Sequence, residues 1–181
     1  ALHVETGRVF YTATNDYQPF VVLRSREIYL APGEEKSTLL NTACGNATAK
    51  STGDGFQDLG KTEMASPELV AALEEVEAKR MGNCNGIQQL VWSFTNDHSV
   101  ASIVMYENGK MKASPLQAIA AKHKHVAVPT YQVDYEESDG SNGLAFSGKP
   151  NRVESSLQFI LENQEDVRIV LRDEQGEIVK F

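Results

Sequence analysis

Cys44 and Gln88 are the side chains in this sequence with the least ordinary chemistry open to them. A cysteine thiolate that attacks the side-chain amide of a glutamine expels ammonia and leaves a thioester, an electrophile stored inside the fold. Such a bond lasts only where water is excluded, so apolar walls must close around it. Trp92 lies four residues after Gln88, one helical turn on along the same face, and Phe56 is the candidate for the opposite wall. Gln88 falls in what reads as the first turn of a helix, where free backbone N–H groups can stabilise an oxyanion. A lysine amine arriving at such a thioester yields an isopeptide cross-link, so the implied partner is an amine on another protein's surface. Gln89 is the alternative acyl donor, and that choice leaves Trp92 out of step.

The same sulfur has other fates. The second cysteine, Cys84, lies four residues before Gln88, so a fold that brings Cys44 to the helix start also brings it near Cys84. A Cys44–Cys84 disulfide would close a loop of about forty residues, worth about 3–4 kcal/mol by chain entropy. The non-catalytic alternative is therefore a secreted binding or structural domain held by that bridge, and two free thiols are the third state. Cys44 with His98 as its base would make a hydrolase pair, but nothing in the spacing selects it, and the chain is read as no enzyme. His123 and His125, at i and i+2, do not share a helix face, so no metal is expected, and no cofactor. Glu74, Glu75 and Glu77 read as a solvated helix face. Asn46-Ala47-Thr48 matches a glycosylation sequon, of consequence only in a eukaryotic source.

A strand must carry Cys44 and a helix must open at Gln88 for these groups to meet. Residues 7–14 and 20–30 are β-type runs, and 37–42 is an extended stretch that delivers the chain to Cys44. Residues 50–60 read as a loop. Ser66-Pro67-Glu68 is a helix start, with Leu69, Leu73, Val76 and Met81 along one face, Lys79-Arg80 at the end and Gly82 as the stop. Residues 83–85 re-cap a second helix with Ile87, Leu90, Val91 and Phe94 on its apolar face. Asn108-Gly109 reads as a two-residue hairpin turn, and Ser114-Pro115 opens a third helix running to 124. The acidic, Gly/Ser-rich segment 134–148 reads as a linker. Residues 155–161, 166–171 and 177–181 then alternate as a half-buried antiparallel meander.

The expected fold is α+β: antiparallel sheets or a β-sandwich, with a helical layer inserted at about 63–127. Residues 1–128 form the first domain, and 129–181 a β-rich module docked on it.

Two segments together carry a resemblance. They are Asn41-Thr42-Ala43-Cys44-Gly45, and Ile87-Gln88-Gln89-Leu90-Val91-Trp92 followed by Thr95 and Asp97. They resemble the bacterial thioester domains of surface adhesins, in which a strand-borne cysteine is joined to a helix-opening glutamine. They are similar as well to secreted bacterial proteins of uncharacterised role with the same layout. The likeness spans roughly residues 20–105, and at the cysteine the adhesins have large apolar neighbours where this chain has Ala43 and Gly45. It implies Cys44 as the acylated sulfur, Gln88 as the acyl donor, Trp92 as a shield, and covalent attachment to a partner's amines.

Composition narrows the setting further. The 181 residues are 41% hydrophobic and 23% charged, with a net charge of −8. That balance supports a real core and argues against nucleic acid as a partner. No apolar run approaches the roughly 18 residues of a membrane span. The chain opens at Ala1 without a charged n-region and apolar h-region. With its even cysteine count, this reads as an exported protein whose signal has been removed, placed in the periplasm, at the cell surface or outside the cell.

Overall fold

The computed structural model describes residues 1–13, 17–51, 58–137, 146–156, 160, 166, 168–172 and 176–180. The fold is mixed α+β, with antiparallel sheets and three helices. Its centre is a four-stranded sheet of β2 (Arg8–Thr12), β3 (Phe20–Val22), β5 (Thr42–Cys44) and β6 (Leu59–Met64), in the order β5-β3-β2-β6. A smaller pair joins β1 (Leu2–Val4) to β4 (Arg26–Ile28). The run 20–30 therefore divides at its polar middle, Arg24-Ser25, between two sheets. Strands β1 and β6 lie outside the segments read as strands. All six residues of β6 are exposed, so it lacks the alternation that marks a half-buried strand.

Helix α1 (Pro67–Ala78) starts as its residues predict: Ser66 Oγ accepts from the Leu69 N–H at 3.3 Å, and Pro67 takes the first helical position. It ends earlier than Gly82. Arg80 takes the left-handed turn with φ 57°, the Arg80 N–H donates to Glu77 O, and the Met81 N–H reaches back to Val76 O. That pattern closes the helix in a Schellman motif. Helix α2 (Ile87–Thr95) is capped by Gly86 at φ 97°, with no side-chain cap, in place of the expected capping by residues 83–85. The turn Val100–Ser102 leads into β7 (Val104–Glu107) and β8 (Lys110–Ala113). Asn108 and Gly109 both have positive φ between them, as a primed hairpin turn requires. Helix α3 (Leu116–His123) follows.

The core forms where the sheet's inner face meets the helices. Val9, Val21 and Ala43 come from the sheet, Leu69, Leu73 and Val76 from α1, Leu90 and Val91 from α2, and Leu116 and Ile119 from α3. Burying each large aliphatic side chain contributes about 1.5–3 kcal/mol. Helices, not a second sheet, cover this face, so the sandwich form of the expectation is not confirmed. Glu75 and Glu77 are not a free solvated face. Glu75 binds Lys79, Lys122 and His123, tying α1 to α3, and Glu77 accepts from Thr6 Oγ1 at 3.0 Å.

Both described ends of the segment read as a linker are strand: β9 (Tyr131–Glu137) pairs with β10 (Phe146–Ser155). Tyr131, Val133 and Tyr135 alternate with polar residues, a strand signal outweighed in the sequence by the acidic, Gly-rich stretch that follows. Val133 is buried, and β9 packs on the Val100–Ser102 turn and on β8. Beyond it, β11 (Leu171–Arg172) and β12 (Ile178–Lys180) form a short pair. Of the inward positions read for the half-buried meander, Ile169 is exposed, and Leu157, Phe159, Leu161 and Val167 lie outside the described residues. No helix among the described residues is long and apolar enough to cross a membrane.

Candidate functional site

β5 is one of the two edge strands of the central sheet, and its outer main-chain groups need partners. Gln88, in the first turn of α2, supplies them. The Cys44 N–H donates to Gln88 Oε1 at 2.9 Å, and Gln88 Nε2 donates to Cys44 O at 2.7 Å. A planar carboxamide thus pairs with the cysteine's main chain as a neighbouring strand would, across 44 residues of sequence. Its carbonyl carbon is held against the residue that bears the sulfur. The donor to the carbonyl oxygen is the Cys44 N–H, in place of the helix N–H groups expected for that role.

Register fixes what stands beside the thiol. Cys44 is the Cα partner of Phe20, Phe20 of Phe10, and Phe10 of Thr62, one row across all four strands. The adjoining row, Ala43, Val21, Val9 and Glu63, faces the opposite way, and its first three members enter the core. Because Cys44 directs its N–H and C=O outward to Gln88, it and Phe20 are a non-hydrogen-bonded pair, the kind whose side chains lie closest. Phe20 is thus the cross-strand neighbour of the thiol, a residue the sequence gives no local reason to choose. Burial pushes the Cys44 thiol pKa up, which favours the protonated form. Gly45 is packed so tightly that a Cβ would meet Pro19 Cγ at 3.0 Å and Val21 Cγ2 at 3.2 Å. A large apolar residue after the cysteine has no room here.

A second amide clasp lies at the other end of α2. The Ala47 N–H donates to Asn96 Oδ1 at 3.0 Å, and Asn96 Nδ2 donates to Asn46 Oδ1 at 3.0 Å. Asn46 Oδ1 also accepts from the main-chain N–H and the hydroxyl of Thr48. The sequon asparagine is therefore part of a structural network.

The other predicted residues fall elsewhere. Trp92 is buried, but its edge meets the His98 ring, with centroids 6.0 Å apart. His98 stacks flat on Tyr135 at 3.8 Å, and the Ser99 N–H donates to the Tyr135 hydroxyl at 2.9 Å. Trp92, His98 and Gln89 line one small cavity with Ser102, Asp134 and Tyr135, and neither Cys44 nor Gln88 is in its wall. Trp92 therefore anchors the β9 hairpin, His98 is not placed as a base for Cys44, and Gln89 points away from the β5 edge. Cys84 packs against the core as a free, half-buried thiol, and Cys44 is likewise unbridged. Phe56 lies outside the described residues. Asp97 is fully exposed at φ 53°.

No protein-family model, no curated protein and no solved structure matches this chain.

Proposed function

We propose that this is an exported bacterial protein of thioester-domain type that attaches covalently to amines of a partner. The observation that supports it is the reciprocal pairing of the Gln88 carboxamide with the main chain of Cys44. The Cys44 sulfur attacks the Gln88 amide carbon, a C–S bond forms, the C–N bond breaks, and ammonia leaves with the thiol proton. The Cys44 N–H, aimed at the carbonyl oxygen, offsets the charge that develops there. A lysine amine then displaces the sulfur, forming an isopeptide bond and restoring the thiol. Phe20 takes the shielding role that the spacing assigned to Trp92, with Phe10 beside it in the same row. The setting is extracytoplasmic and the partner is a protein surface, not nucleic acid. Exposure to methylamine followed by peptide mapping tests the reading. Methylamide at Gln88 is the expected product, and an unmodified Gln88 beside a labelled control thioester removes the proposal.

A second reading has its own observation. The same two hydrogen bonds satisfy the open edge of β5, and the Asn96 amide holds the turn after β5 in the same way, through the Ala47 N–H and the Asn46 side chain. On this reading Gln88 is a structural amide in a non-catalytic binding domain. It predicts that methylamine never adds, while Gln88→Ala still lowers the melting temperature.

A further inference from the structure

The inner face of the sheet opens, beyond the core, into a cleft of about 450 Å³, a size typical of small-ligand sites. Its floor is Val9, Val21 and Pro19, its rim carries the rings of Tyr11, Tyr17 and Phe94, and Gly45 forms part of one wall. This is the face opposite the Cys44–Phe20–Phe10 row, so an occupant does not meet the Cys44 thiol. Among the described residues of the wall, Glu63 is the only charged one. Its carboxylate is held by the Tyr11 hydroxyl, which keeps it below the usual carboxylate range and raises the Tyr11 phenol to about 12. Two helix ends reach the cleft with opposite dipole signs, the start of α1 at Ser66 and the end of α2 at Thr95, leaving Glu63 to set the sign.

One cation of the protein already stands on the Tyr11–Glu63 pair, although its own residue is not part of the cleft wall. Lys61 Nζ stands 4.5 Å from the centroid of the Tyr11 ring and 3.4 Å from Glu63 Oε2. An ammonium over an aromatic face with a carboxylate beside it is the usual recognition of alkylated amines. The Lys61 side chain is 69% exposed, on a flexible stem, and can swing out into solvent. We propose that the cleft is a binding site for an alkylammonium ligand, its stem on the apolar floor and its cation on Tyr11 and Glu63, with Lys61 as the tethered competitor it displaces.

The probe is n-butyltrimethylammonium, which cannot be acylated, so binding is read separately from any chemistry at Cys44. The full chain, labelled for NMR, is titrated with this cation, with n-hexanol and with n-butanesulfonate. Saturable shifts are expected at Tyr11, Glu63 and Phe94, with affinity for the cation about tenfold above that for the alcohol or the sulfonate. Glu63→Gln is expected to remove that preference, and Lys61→Ala to strengthen cation binding about threefold or more. A site that only packs the sheet has no reason to respond to Lys61. Melting curves show whether Glu63→Gln folds, and if it does not, Lys61→Ala, at an exposed position, tests the site in its place. Equal affinity for cation and alcohol, shifts mapping away from the cleft, or a Lys61→Ala chain with unchanged affinity would each overturn the assignment.

Discussion

The carboxamide of Gln88 presents an N–H and a C=O side by side on a rigid plane, as a strand does, and directs both at Cys44. Removing it strips the partners from an N–H and a C=O at the half-buried edge of β5. Gln88→Ala should therefore destabilise the protein by about 1–3 kcal/mol in urea unfolding. Gln89→Ala, which leaves the β5 edge untouched, should cost less. An equal loss for the two would mean that the clasp contributes nothing specific. The Cys44–Gln88 pair is legible in the sequence because each residue has distinctive chemistry and the helix start is well marked. Phe20 is not legible as its companion, because register between strands is a tertiary property that no local pattern encodes. Trp92 misleads for a related reason. Its spacing from Gln88 is right for one helix face, but its large ring is claimed by His98 and the β9 hairpin.

At the level of elements, the two ends of α2 hold the β5 segment, Gln88 on the strand edge at Cys44 and Asn96 on the following turn at Ala47. Its start depends on Gly86, at φ 97°, where a Cβ would meet Ile103 Cγ2 at 3.0 Å and Ser114 Cβ at 3.1 Å. Gly86→Ala should cost about 1–3 kcal/mol, while Gly82→Ala, with no atom within 4 Å of the added carbon, should stay within about 0.5 kcal/mol. The helix starts at Ser66 and Ser114-Pro115 are readable because a capping side chain acts within a few residues. The stops are not, because this chain sets Arg80 and His125, not glycine, in the left-handed position after α1 and α3. At His125 the same Schellman bonds recur, from the His125 N–H to Lys122 O and from the Val126 N–H to Ala121 O. Arg80→Gly should therefore stabilise α1 by up to about 1 kcal/mol, read as a higher melting temperature. A drop in melting temperature would mean that the Arg80 side chain supports the fold in a way its backbone strain conceals.

For the molecule as a whole, two groups tie stability to pH in the same direction. His98 is buried against Trp92 and Tyr135, with Asp134 in the same cavity wall, and burial holds its pKa below 6.5. The unfolded chain takes up that proton first, so stability present above about pH 6.5 is lost as the pH falls toward the folded value. Glu75, held at about 2 by Lys122, Lys79 and His123, adds a second loss as the pH falls from 4.5 toward 2. Melting temperature should decline from pH 7 to 5, and His98→Phe, which keeps a stacked ring without a titrating nitrogen, should flatten that decline. A slope unchanged in His98→Phe would assign it to other groups. The α+β class and the layering of helices over the Cys44 sheet follow from helix periodicity and strand composition. The pairing of β9 with β10 does not, since the acidic, glycine-rich sequence between them hides the alternation on the first strand. The most direct measurement of the chemistry at Cys44 is the intact mass of the purified chain under non-reducing conditions. A Cys44–Gln88 thioester gives the sequence mass less one ammonia, and methylamine shifts it to the sequence mass plus the difference between methylamine and ammonia. The full sequence mass, or a loss of two hydrogens from a Cys44–Cys84 bridge, with no response to methylamine, would contradict the thioester.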